Sequence, residues 1–189
     1  IEMHILGLEA LGVEFKVEHG NIHASAPHGI TGETVSLAFA SVGATENLMM
    51  ASVFAKGVTV IDNAAREPEI VDLATMLNKM GANIQGAGSP VIEIHGVTEL
   101  HPVEHEVVGD RIEAGTFLAI GALTGEPITV HGFEPNHLGL VLKKYEQMGI
   151  TIETGDRWAR ASRQQDLKAI DIQTLPFPGF PTDMQAQTM

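Results

Sequence analysis

The chain has 189 residues, 44% of them hydrophobic and 5% aromatic, with no cysteine and a formal net charge of −13. Its length supports one large or two small cores, and the lack of cysteine excludes disulfides and thiolate metal sites. The acidic balance excludes a nucleic-acid surface, which needs a basic stripe, but not a phosphorylated small molecule held by a few local donors.

No apolar run reaches the roughly 20 residues of a membrane span, and no signal-peptide pattern opens the sequence. Ile1, His4, Ile5 and Leu8 share one helical face, and Leu11-Gly12 closes that helix. Strands are expected over 13–17 and 22–25, divided by His19-Gly20-Asn21. A strand over 35–39 then runs into Ser41-Val42-Gly43-Ala44-Thr45, followed by an apolar helix over 46–56 with Gly57 at its C′ position. After a strand over 58–61, Ile70, Leu73, Ala74 and Leu77 mark a second helix, with Pro68 in its first turn and Met80-Gly81 at its end. Strands over 82–85 and 91–95 flank Gly88-Ser89-Pro90.

The same order then returns. A strand over 104–108 precedes a helix over 111–124 and a strand over 128–131. Pro135 opens the helix of Leu138, Val141, Leu142 and Tyr145, which stops at Met148-Gly149 before strands over 150–153 and 158–162. A further strand is expected over 169–174. The three terminating glycines, Gly12, Gly81 and Gly149, stand 69 and 68 residues apart. The unit is strand, helix, strand, helix, strand, strand, and the fold class is α/β built from repeated units. The first copy lacks its front half and the last breaks off early, so the chain is expected to be an internal piece of a longer protein.

Function is expected at the first strand-to-helix junctions, where loop side chains and helix N-termini converge. These read Ala40-Ser41-Val42-Gly43-Ala44-Thr45, Gly109-Asp110-Arg111-Ile112-Glu113 and Phe180-Pro181-Thr182-Asp183, and they differ far more than the scaffold around them. The small-residue turn at Ser41-Val42-Gly43 suits a phosphate, because it leaves backbone N–H groups free at a positive dipole end. The plain alternative is an ordinary cap on a buried helix.

Together, Ser41–Asn47, Asn63–Asp72, Asp110–Thr116 and Phe180–Gln187 resemble the UDP-N-acetylglucosamine enolpyruvyl transferases, in that family's order and nearly its spacing over the whole chain. The resemblance implies six such repeats in two domains, an inverted α/β barrel-like fold, with the active site between the domains. It implies transfer of enolpyruvyl from phosphoenolpyruvate to the 3-hydroxyl of UDP-N-acetylglucosamine with release of phosphate, in the bacterial cytoplasm, as the first committed step of peptidoglycan synthesis. On this reading residues 1–108 are the C-terminal part of the UDP-sugar domain, and 109–189 are part of a second domain carrying the Asp183 loop.

By the same resemblance, Ser41, Val42 and Gly43 bind the nucleotide diphosphate, and Ile1, Glu2 and Met3 end the uridine-contacting segment with His4 just beyond. Asp183 contacts the sugar 3-hydroxyl and is the candidate for its deprotonation, provided its loop brings it within hydrogen-bond reach. Glu67, Asp110 and Arg111 are weaker candidates near the cleft. Each has a structural alternative: Asp183 as a helix cap, Glu67 as an acid facing a helix dipole, and Arg111 as the ion partner of Asp110 or Glu113.

The departures are Phe39, where the family often carries Lys, and Glu2, where Asp is usual. The catalytic Cys (or Asp) loop is expected just before Ile1, outside this chain, as are a Lys-Asn pair and the Arg residues that hold phosphoenolpyruvate. This piece alone is therefore expected to be inactive, and its truncated edges to favour self-association. No cofactor is called for.

The nine histidines form no helical H-x-x-x-H pair and no HExxH, so no metal site is expected. His19, His23 and His28 sit in a turn-rich segment and read as solvated, while Met49, Met50, Met76, Met80 and Met148 read as core filler. Two other readings share the scaffold: the shikimate-pathway enolpyruvyl transferase, and a repeat-built binding module without chemistry.

Overall fold

The computed structural model describes residues 1–189, which form two compact units, Ile1–Glu106 and Val107–Met189. In the first unit the order is α1 (Glu2–Ala10), β1 (Glu14–Glu18), β2 (Asn21–Ser25), β3 (Thr34–Ser36), α2 (Val42–Ser52), β4 (Val58–Asp62), α3 (Pro68–Lys79), β5 (Asn83–Gln85) and β6 (Val91–His95). β1 and β2 form an antiparallel hairpin of their own. The other four strands make one sheet in the order β3-β4-β6-β5, with β3 parallel to β4 and the remaining pairs antiparallel.

The second unit holds α4 (Arg111–Thr124), β7 (Ile128–His131), a 3-10 turn at Pro135–Leu138, α5 (Gly139–Gln147), β8 (Ile150–Gly155), β9 (Trp158–Arg163), a 3-10 turn at Thr182–Met184 and α6 (Gln185–Thr188). Its sheet runs β7-β9-β8, all antiparallel. The repeat is therefore visible in the pairing itself. β4, β6 and β5 stand in the same order and sense as β7, β9 and β8.

The sequence period makes these sheets one-sided. Along β4 and β6, Ile61, Ile92 and Ile94 alternate inward and are fully buried, meeting Leu48 and Met49 of α2 and Ile70 of α3. Each such side chain contributes on the order of 1.5–3 kcal/mol through burial. α3 turns Ile70, Ala74 and Leu77 to this core, begins with Pro68 at its first position, and stops where Gly81 takes φ +108°. Asn78 then joins α3 to β5: its Nδ2 donates to the Ile84 carbonyl and its Oδ1 accepts from the Ile84 N–H, both at 2.8 Å. The second core gathers Leu118, Phe133, Leu138, Tyr145, Ala159 and Ala161.

Several expected elements differ. The strand over 35–39 is only Thr34–Ser36, and Phe39 is 60% exposed. α2 begins four residues before the expected Glu46 and ends at Ser52, so Gly57, at φ +97°, lies in the approach to β4 rather than at a helix C′ position. The apolar run beyond Ser52 is spent in a turn, where the Val53 carbonyl accepts from the Val97 N–H at 2.8 Å and Ala55 packs under Gly96. No strand forms over 104–108, and the expected strand over 169–174 is reduced to a single bridge between Thr174 and Phe180. Met50 faces outward, 46% exposed, one position beyond the buried Met49.

Two glycines serve different purposes. A Cβ on Gly96 would collide with the Ala55 carbonyl oxygen, whereas one on Gly57 would meet no atom within 4 Å and be strained only by φ. Gly96→Ala is expected to lose about 2 kcal/mol or more in urea denaturation. Gly57→Ala is expected to lose only about 1 kcal/mol. Equal losses would contradict the close approach.

Candidate functional site

In the first unit the candidate residues gather where α1 and α2 begin. Ser41 is extended (φ −99°, ψ 120°) and is the N-cap of α2, its Oγ accepting from the Ala44 N–H at 3.3 Å. Its carbonyl accepts from the Thr45 N–H at 3.0 Å and from Thr45 Oγ1–H at 2.8 Å. As at any helix start, the N–H groups of Val42 and Gly43 have no intrahelical acceptor and lie at the positive end of the dipole. The cap and the anion reading coexist here, since the Ser41 side chain satisfies Ala44 and leaves the two earlier donors.

α1 is held against this turn. His4 Nδ1 lies 2.6 Å from Asn47 Nδ2, and with the amide as donor the imidazole proton sits on Nε2. Gly43 and Asn47 are one helical turn apart and face the same ring; a Cβ on Gly43 would stand 3.3 Å from His4 Cε1. Lower down, Gly7 lets α1 close on Leu48. The structure thus brings His4 to Ser41-Val42-Gly43, and with it the first turn carrying Ile1, Glu2 and Met3. Ile1 is 82% exposed, while Met3 packs on the core.

Glu67 reaches this site indirectly. Ala65 N–H donates to Thr45 Oγ1 at 3.0 Å, which fixes the loop leading into α3. Glu67 stands at the N-cap of α3, is buried, and makes no side-chain capping bond; its Oε2 accepts from the Arg66 N–H at 2.9 Å. Burial, and secondly the Glu69 carboxylate, push the Glu46 carboxyl above the usual carboxylate range.

In the second unit α4 cradles the Asp183 loop. Asp110 caps α4, its Oδ1 accepting from Ile112 N–H at 2.8 Å and Glu113 N–H at 3.0 Å. Arg111 is buried and lies over the Phe177 ring, 5.5 Å from its centroid. Phe180 and Met184, on either side of Asp183, are both buried in the core, and Met184 fits against Gly115. Gln187 Nε2 donates to Thr116 Oγ1 at 2.7 Å. Asp183 itself is exposed in the 3-10 turn Thr182–Met184 and makes no capping bond there or at the start of α6. The capping alternative for Asp183 is therefore not realised. An open groove lined by Met148, Ile170, Ile172, Gln185 and Met189 lies in this unit and includes none of these candidate residues.

Sequence reasoning passed over Thr45, Glu46, Asn47 and Phe177. Asn47 was accessible from its one-turn spacing to Gly43. The partners of Thr45 and Phe177 come from elements far along the chain and carry no local signal.

Glu46 makes the stability of the fold depend on pH. Its charged form is disfavoured in the fold, so the penalty is absent well below the ordinary carboxylate pKa and grows as pH rises through the raised one. Glu46→Gln should raise unfolding stability at pH 7 and not near pH 4, by less than about 1 kcal/mol because the group is partly solvated, as read by thermal denaturation. A Gln variant no more stable at pH 7 would contradict the assignment.

The EPSP synthase (3-phosphoshikimate 1-carboxyvinyltransferase) family matches residues 1–189. A UDP-N-acetylglucosamine 1-carboxyvinyltransferase 1 from Staphylococcus aureus (strain MRSA252) is 52% identical over 189 residues, 100% of this chain and 45% of that protein. The protein of the same name from Symbiobacterium thermophilum is 55% identical over 189 residues, with 43% of its length covered. The chain thus spans less than half the length of these curated relatives. Among solved structures, the enolpyruvyl transferase NikO from Streptomyces tendae superposes with a TM-score of 0.85 at 23% identity, covering 98% of this chain and 47% of that one. An EPSP synthase from Acinetobacter baumannii gives 0.65 at 21%, covering 89% and 41%. At these identities the structural likeness shows the fold alone.

Proposed function

The chain belongs to the EPSP synthase family, and from that membership we propose that it serves transfer of enolpyruvyl from phosphoenolpyruvate to the 3-hydroxyl of UDP-N-acetylglucosamine, with release of phosphate. The observation that carries this is identity of 52% and 55% over all 189 residues to two UDP-N-acetylglucosamine 1-carboxyvinyltransferases. The shikimate-pathway reading shares the family match and has a solved-structure likeness at 21% identity, against 52% and 55% for the amino-sugar enzymes. Peptidoglycan synthesis in a bacterial cytoplasm goes with the amino-sugar reading.

Within it, residues 1–108 supply UDP-sugar recognition and 109–189 supply the Asp183 loop. The Ser41-Val42-Gly43 turn holds the diphosphate, with the Val42 and Gly43 N–H groups donating to its oxygens; a doubly charged ligand is favoured there by the dipole and by donors that need no reorganisation. Ile1, Glu2, Met3 and His4 line the uridine side, held at that turn by the His4–Asn47 bond. Asp183 takes the proton of the sugar 3-hydroxyl. An exposed carboxylate with no internal hydrogen bond, anchored by Phe180 and Met184, is free to accept one. Asp110 and Arg111 position that loop through α4 and Phe177, and Glu67 is a carboxylate behind the turn.

Calorimetric titration of the 189-residue chain with UDP-N-acetylglucosamine and, separately, with shikimate 3-phosphate tests the reading. Binding of the nucleotide sugar alone is expected, weakened roughly tenfold or more by Asp183→Ala, the usual scale for one charged hydrogen bond. Preference for shikimate 3-phosphate would overturn the substrate assignment. Nucleotide-sugar binding unaffected by the Ala change would remove Asp183 from sugar recognition.

A further inference from the structure

Thr45 is fully buried, and so is Ala65, the residue it meets. Threonines inside helices commonly donate back to the carbonyl four residues earlier, and Thr75, Thr124 and Thr188 do so here. Thr45 makes the same bond to Ser41 at 2.8 Å, but its oxygen also accepts the Ala65 N–H at 3.0 Å. Thr116 likewise accepts from outside its helix, though from the Gln187 side chain. A side-chain amide can turn to solvent when its partner is lost. A buried main-chain N–H cannot.

We propose that Thr45 is a positioning residue: its hydroxyl ties the Ser41-Val42-Gly43 turn to the Ala65-Arg66-Glu67 loop, so that a ligand seated on the turn sets the placement of that loop. This rests on the reading of the turn as a diphosphate site. The geometry gives the tie a direction. The Ser41 carbonyl orients the hydroxyl proton, which points the oxygen lone pairs at Ala65. One residue later, the Arg66 N–H is taken by Glu67 Oε2 at 2.9 Å, so the backbone of the loop is bonded at two successive residues. Ala64 N–H donates to the Pro90 carbonyl at 2.9 Å, which holds the loop's other side to the sheet. The Thr45 oxygen therefore gives a displacement of Ser41 a direct route to the Ala65-Arg66-Glu67 loop.

Amide hydrogen exchange and nitrogen-15 NMR on the 189-residue chain test this, with Thr45→Val removing the hydroxyl at nearly constant shape and Thr45→Ser restoring it. In the free protein, Thr45→Val should speed Ala65 exchange roughly tenfold or more, leave Ile92 and Ile94 of β6 unchanged, and be rescued by Thr45→Ser. Added UDP-N-acetylglucosamine should shift the Gly43 and Ala65 amides in the parent and the Ser variant, but only Gly43 in the Val variant. Unchanged Ala65 protection in Thr45→Val would overturn the tie. So would equal acceleration at Ala65, Ile92 and Ile94, which would mark a general loss of stability. An Ala65 shift persisting in the Val variant would overturn the ligand link. If the nucleotide sugar left Gly43 unmoved in every variant, the diphosphate reading would fall and the ligand link with it, while the exchange comparison would still decide whether the tie exists.

Discussion

The bonds around Ser41 set the start of α2, and the first unit's candidate site is built outward from that start. Because Ser41 is extended and its carbonyl is taken by Thr45, the helix begins at Val42 and aims two unpartnered N–H groups past the cap. A start four residues later, at Glu46, would bury those groups in a loop and place no glycine opposite His4. The first turn also selects its neighbours by size: Gly43 admits the imidazole, Gly7 admits Leu48, and α1 closes against α2 as a result.

The second unit solves a related problem by different means. There the helix start is capped by a carboxylate, Asp110, which takes the N–H groups of both Ile112 and Glu113; the first of these corresponds to the Gly43 donor that the first unit leaves available. An anion is correspondingly less welcome at that terminus. The exposed acid is instead presented from the loop, where Phe180 and Met184 are sunk in the core on both sides of Asp183. One repeat thus offers donors and the other an acceptor.

Most of the scaffold was legible in the sequence because it rests on local periodicity and on glycine punctuation. Gly12, Gly81 and Gly149 all adopt positive φ, at +93°, +108° and +94°, and each ends a helix at its expected place. The expected bounds of α4 and β7 coincide with the observed ones. What was misjudged depends on partners distant in sequence. The apolar run after Ser52 reads as helix, but Gly96 and Val97 draw residues 53–55 into a turn. Residues 104–108 read as a strand, yet His105 is fastened to α3 through Asp72 at 3.0 Å instead of entering a sheet. Within the site, caps could be read from residue type, whereas the Thr45–Ala65 bond and the stacking of Arg111 on Phe177 could not.

The central claim, that the α2 terminus is where a diphosphate sits, is tested most directly by a crystal structure of the 189-residue chain grown with UDP-N-acetylglucosamine. The account predicts diphosphate oxygens within about 3 Å of the Val42 and Gly43 nitrogens, with Ser41 still capping Ala44. A nucleotide sugar bound with its phosphates elsewhere, and the Val42 and Gly43 donors facing water, would contradict it.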